Sequence, residues 1–133
     1  MERPIATPPP LPTDAELQVL RVLWALGAGT VREVHDVLYA HTPVGYTTAL
    51  KLLQNMHAKR LVSRDDRQRQ HVYAAAVAES DTIRGVLRQI IDRTFDGSAA
   101  ALAMHALGAG HATAEELTEL KRMIRSLERE DRR

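Results

Sequence analysis

The sequence predicts a mainly α-helical protein with one small β-hairpin, and three observations carry that prediction. Only 4% of the 133 residues are aromatic while 44% are hydrophobic. The core must therefore be built from Leu, Val, Ile and Ala, which suits helices better than a β-sandwich. Thr-x-x-Glu heads three apolar-periodic runs, at Thr13 with Glu16, Thr30 with Glu33 and Thr113 with Glu116. In such a pair the Thr hydroxyl accepts from the Glu backbone N–H while the Glu side chain accepts from the Thr N–H, a helix start. One stretch alone, LVSRDDRQRQHVYAAAV from Leu61 to Val77, changes to extended patterning.

The elements follow in order. MERPIATPPPLP carries five prolines and no apolar signal core, so residues 1–12 are expected to form a flexible arm. Helix one is expected from Thr13 to Leu26, with Leu17, Leu20, Val22, Leu23 and Trp24 apolar, ending at the Gly27–Gly29 turn. Helix two runs from Thr30 to about Ala40 and buries Val31, Val34, Val37 and Leu38. Pro43 and Gly45 punctuate the next turn, and helix three runs from Tyr46 to about Arg60. A two-stranded hairpin follows, its loop near Asp65 to Gln68. A hairpin alone is unstable in water, so it must pack on the helices. Three more helices complete the chain: Thr82 to Phe95, a short Ala-rich one to about Leu107, and Thr113 to about Glu130. ALGAG occurs twice, at 25–29 and 106–110, as one helix-ending chemistry used twice rather than a structural repeat.

Helix three poses the functional question. At about 100° per residue, Ala49, Leu52, Leu53 and Met56 share one side, with Tyr46 and Leu50 at its edge. Thr47, Thr48, Lys51, Gln54 and Asn55 gather opposite. By itself this fits any amphipathic helix with a solvated face. Three neighbouring features point further. No Asp or Glu occurs from Tyr46 to Arg64, and from Tyr46 to Tyr73 six basic residues stand against two acidic ones. A helix and a short glycine-containing turn precede it, the layout of a helix-turn-helix. A basic hairpin follows, suited to lie along a phosphate backbone as a wing. Asn and Gln pair with adenine, Lys with guanine, and a Thr methyl packs on thymine. Thr47, Thr48, Lys51, Gln54 and Asn55 are thus candidate base contacts, and Tyr46, Arg64, Arg67, Arg69 and Gln70 candidate phosphate contacts. The domains expected are a winged helix-turn-helix over 13–77 and a three-helix dimerisation region over 78–133.

Five segments in series, LPTDAELQVLRVLW, TVREVHDVL, YTTALKLLQNMHAKRLVSR, HVYAAAV and FDGSAAAL, resemble the penicillinase-repressor family (BlaI/MecI/CopY) of bacterial winged-helix regulators. The likeness covers about Leu11 to Leu127. It implies a homodimeric transcriptional repressor on inverted-repeat operators, with a membrane sensor protease as a further partner of the β-lactam-responsive members. Several positions depart from the family pattern. Lys59-Arg60 stands where a residue followed by Gly usually precedes the first wing strand, and Asn55 replaces the usual Arg late in helix three. The copper-responsive members' cysteine-rich tail has no counterpart in a chain without Cys. Where the sensor protease cuts an Asn-Phe bond, this chain reads Met104-His105-Ala106-Leu107.

Other chemistry finds little support. The absence of Cys excludes disulfides and thiolate sites and suits a reducing, cytoplasmic compartment. The uncharged run from Gly97 to Ala114 is Ala-rich and broken by Gly108, Gly110, His105 and His111, so it is no membrane span. His35 with His41, and His105 with His111, lack the i, i+4 spacing of a helical metal clamp. No Ser lies in a Gly-x-Ser-x-Gly turn and no phosphate-cradling glycine loop occurs, so neither an enzyme nor a cofactor is expected. Ile83, Val86, Leu87, Ile90 and Ile91 form one apolar stripe, and Leu117, Leu120, Ile124 and Leu127 another. A segment of about 50 residues is short for a core of its own. Burial of Ile83, Leu87, Ile90, Ile91, Leu117, Leu120, Ile124 and Leu127 against a second copy would complete it and supply two-fold symmetry. The alternatives are a monomer whose helices fold back on the winged helix, and a winged-helix protein-interaction adaptor without sequence-specific DNA binding.

Overall fold

A computed structural model describes residues 9–132, so the arm expected over residues 1–12 lies outside the described residues as far as Pro8. The three capping boxes form as expected. Thr13 starts α1 (Asp14–Leu26), Thr30 starts α2 (Val31–Tyr39) and Thr113 starts α6 (Ala114–Asp131). In each, the Glu carboxylate accepts the Thr N–H at 2.9 Å. Each box satisfies two backbone N–H donors that a bare helix end would leave without partners.

After α1 the chain turns at Gly27, whose φ of +85° is a backbone region that a side chain disfavours. It then forms β1 (Gly29–Thr30), a two-residue strand absent from the sequence reading. The hairpin of β2 (Val62–Asp65) and β3 (Val72–Ala75) is therefore part of a three-stranded antiparallel sheet in the order β1-β3-β2. Gly29 faces Tyr73, and Arg64 faces Tyr73 from the other side. Two residues are too few for an alternation to show in a sequence, and β1 exists only because β3 supplies its partner.

α3 (Tyr46–Ala58) ends two residues before the expected Arg60. Its exit is a Schellman turn: Leu61 N–H donates to Met56 C=O at 2.9 Å and Arg60 N–H to His57 C=O at 3.0 Å. Arg60 occupies the left-handed position with φ +66°, so the turn is made without the glycine that favours it. Leu61 and Met56 are both buried and hold it closed.

The core comprises Val19, Leu20, Val22 and Leu23 of α1, Val31 and Val34 of α2, Ala49, Leu53 and Met56 of α3, with Leu61, Val62 and Tyr73. α1 packs on α2, α3 and β3, and α3 packs on β2. Val37, expected in the core, is 59% exposed instead. Short α2 meets the core through Val31 and Val34, with Leu38 half-buried against it, and Val37 turns away. The start of α1 is tied to the end of α3 by one ion pair, Glu16 Oε2 to Lys59 Nζ at 2.7 Å. Glu16 is 2% exposed and also closes its capping box. Trp24 reaches across to donate from Nε1 to the Val77 carbonyl at 3.0 Å.

The chain forms two compact units that divide between Leu87 and Arg88. In the first, Thr82 of α4 (Glu79–Thr94) is buried, and Gly85 admits Leu11, whose Cδ2 lies only 2.7 Å from where a Cβ would stand. In the second, α4 ends in a turn through Asp96 and Gly97, both at positive φ, and α5 (Ala99–Gly108) starts at Ser98. The Phe95 ring meets the His105 ring at 5.4 Å. Ile91 is 7% exposed, so this member of the expected dimer stripe is already covered by its own chain. Ile83, Leu87, Ile90, Leu117, Ile124 and Leu127 remain exposed, and Leu120 is half-buried. No described helix is long and apolar enough to cross a membrane.

Candidate nucleic-acid interface

The two faces of α3 separate as its sequence pattern requires. Ala49, Leu53 and Met56 are buried, Leu50 and Leu52 half-buried, and Thr47, Thr48, Lys51, Gln54 and Asn55 all exposed. The inward face fixes the helix; the outward face has nothing to do with holding the fold. Tyr46, expected at the apolar edge, is exposed and lies beneath the Arg32 guanidinium, 5.2 Å from its ring centroid.

The beginning of α3 differs from those of α1 and α2. Its N-cap is Gly45, with no side-chain hydrogen bond and no acidic residue in the first turn. The first-turn N–H groups are left for an outside acceptor, and the helix dipole gives that end a partial positive charge. The turn before it is pinned by His35 of α2, whose Nε2 lies 2.7 Å from the Val44 carbonyl oxygen. The ring also contacts Tyr39 at 5.8 Å.

The wing is less simply basic than its sequence. Arg64 forms a fork onto Asp66, Nε to Oδ1 at 2.7 Å, and Arg67 forms one onto Asp65, Nη2 to Oδ2 at 2.8 Å. Hydrogen bonds from the Arg67 side chain, then from its backbone N–H, lower the Asp65 carboxyl to about 2. Asp66 first, then the Tyr73 hydroxyl, raise the Arg64 guanidinium above its usual range. Two of the expected phosphate contacts therefore carry an intramolecular carboxylate in place of a phosphate. Arg69 and Gln70 are exposed beyond these pairs.

Tyr46 of α3 and the adjacent Arg69 and Gln70 of the wing converge on one cleft of about 260 Å³ with Thr30, Arg32 and His71. Sequence reading missed Arg32, Thr30 and His71. Arg32 carried no signal beyond its charge, since only the crossing of α2 over α3 brings it to Tyr46. Among the described residues, no group of three or more His, Cys, Asp or Glu is placed to hold a metal.

The penicillinase repressor family matches residues 12–126 of the chain. The transcriptional regulator BlaI of Mycobacterium tuberculosis (strain ATCC 25618 / H37Rv) is 31% identical over 117 residues, which span 86% of this chain and 83% of that protein. Among solved structures, the DNA binding domain of the repressor BlaI is 27% identical with a TM-score of 0.49, covering 56% of this chain and 90% of that one. A mutant MarR from E. coli complexed with operator DNA is 17% identical with a TM-score of 0.49, covering 86% of this chain and 74% of that one.

Proposed function

The chain belongs to the penicillinase repressor family and is a DNA-binding transcriptional repressor, not an enzyme; on that premise we propose that it acts as a homodimer on an inverted-repeat operator. Thr47, Thr48, Lys51, Gln54 and Asn55 read base edges from the major groove, while Tyr46, Arg69 and Gln70, joined by Arg64 and Arg67 once these exchange Asp66 and Asp65 for phosphate, set the register. The observation that carries the reading is the acid-free, fully exposed outer face of α3 above a buried apolar one, at the end of a helix whose N-terminus no side chain caps.

Dimerisation is supported by the apolar residues left exposed on α4 and α6. Ile83, Leu87, Ile90, Leu117, Ile124 and Leu127 recur at helical spacing. Such stripes are costly in water, by about 25 cal/mol for each Å² of apolar surface left uncovered. A second copy covers them and supplies the two-fold axis of a palindromic site, with the region from residue 78 onward as the dimerisation element. In this reading the repressor works in the cytoplasm, and a sensor protease would have to act at a bond other than Asn-Phe, which 104–107 lacks.

In vitro selection of random duplex DNA with the purified chain, with stoichiometry measured alongside, tests the proposal. An enriched inverted repeat bound by two chains is expected, and Lys51→Ala should weaken its binding by about 1–3 kcal/mol while relaxing base preference. Weak, salt-sensitive binding to every duplex with no enriched site would refute sequence-specific repression and favour an adaptor role.

A further inference from the structure

We infer that the cleft between the start of α2, the start of α3 and the base of the wing is a phosphate seat, with Arg32 and Arg69 as its charged walls. The inference rests on the DNA-binding reading for its favoured ligand source, the operator backbone, but extends it to residues that reading does not use.

The chemistry of the walls selects the ligand. Arg32, Arg69 and His71 are among the residues that line a space of about 260 Å³, and no lining residue is acidic. That volume falls below the range of about 300–1,000 Å³ typical of drug-sized ligands, so a small group is favoured. Cations without a lining carboxylate ask for an anion, and a guanidinium fork matches the geometry of phosphate oxygens. Arg32 is held in place by stacking on Tyr46, which preorganises it. The start of α2 is closed by its own capping box, in which the Glu33 carboxylate accepts the Thr30 N–H at 2.9 Å, so the charge that draws an anion comes from the arginines.

Two groups bound the seat's polarity. Tyr73 is fully buried, and its hydroxyl is close enough to the Arg64 guanidinium to act on its charge. The nearest carboxylate contact of His71 is Asp66, whose Oδ1 lies 3.7 Å from Nδ1. Asp66 is itself engaged by Arg64, so its charge is shared and does not cancel the pair of lining arginines. The seat lies beside the uncapped N-terminus of α3. A backbone phosphate bound here would fix how deep Thr47, Thr48 and Lys51 enter the groove.

The test uses the full chain, the selected operator duplex and inorganic phosphate as separate probes. Arg32→Gln removes the charge, Arg32→Lys keeps it, and a thermal melt of each establishes that it folds. The slope of log K against log salt should fall in magnitude by about one for Arg32→Gln, equally on operator and random duplex, and stay unchanged for Arg32→Lys. Inorganic phosphate titrated into isotope-labelled protein should shift the backbone amides of residues 30–32 and 69–71 in the wild type and not in Arg32→Gln. A slope change without a phosphate response assigns the seat to the DNA backbone; the reverse assigns it to a free phosphate. A wild-type slope in Arg32→Gln together with silent amides overturns the proposal. If the wild type selects no operator, the repressor reading fails, while the phosphate titration still decides the cleft.

Discussion

Lys59→Met should destabilise the protein more than Glu16→Gln, although both remove the same ion pair. The pair is lopsided: the Glu16 side chain is 3% exposed and the Lys59 side chain 40%. Removing one partner of a fully buried pair costs about 3–5 kcal/mol, because the charge left behind is unpaired in a poor solvent. Lys59 is partly hydrated, so its share of the attraction is screened, and roughly half that range, about 2 kcal/mol, is expected for Lys59→Met. The Met stem preserves the packing of the Lys methylenes, which isolates the charge. Glu16→Gln leaves no buried charge, keeps an oxygen for the Thr13 N–H and strands only a hydrated ammonium, so about 0.5–1 kcal/mol is expected.

The pH dependence separates this account from simple loss of packing. Burial acts most strongly on Glu16 and raises its carboxyl, but the Lys59 and Thr13 hydrogen bonds together outweigh it and hold the group below the ordinary 4.5. A lowered folded value means the stabilisation is fully present above 4.5 and is lost as pH falls through that folded value. Without Lys59 the burial effect is left opposed by Thr13 alone, and the carboxyl protonates at a higher pH. The gap between Lys59→Met and wild type should therefore narrow as pH falls from 7 to 4. Urea melts at fixed protein concentration across that range measure it. A gap that stays constant with pH, or a larger cost for Glu16→Gln than for Lys59→Met, refutes the reasoning.

Three further outcomes are expected. Asp65→Asn frees the Arg67 fork from its carboxylate, so binding to random duplex should strengthen and its salt dependence steepen; unchanged binding in a salt titration would mean Arg67 does not face DNA. Leu127→Asp places a charge on the exposed α6 stripe, and sedimentation should show monomers together with loss of operator binding, whereas an intact dimer would move the interface elsewhere. Gly27→Ala forces a side chain into φ +85° and should cost about 1–2 kcal/mol in denaturant melts. Unaltered stability would show that the α1 exit readjusts.

Much of the fold was legible because its signals are local. A capping box needs only four residues, and Thr13, Thr30 and Thr113 each start a helix where the pattern indicates. The two faces of α3 follow from helical periodicity, so the exposure of Thr47, Thr48, Lys51, Gln54 and Asn55 was readable before any neighbour was known. Family membership follows likewise from residues in serial order, without contacts.

Tertiary structure decided what depends on partners distant in sequence. β1 is a strand only because β3 lies beside it, and Val37 is exposed because α2 turns Val31, Val34 and Leu38 to the core and leaves Val37 on another side. Arg60 takes a left-handed turn that its side chain disfavours because Met56 and Leu61 gain burial by it. Charge was legible as a count of arginines but not as a field: Asp65 and Asp66 engage two of them, while Arg32, from another helix, joins Arg69 at the cleft. Electrostatic and packing energies depend on distance in space, and for these residues the fold alone sets that distance.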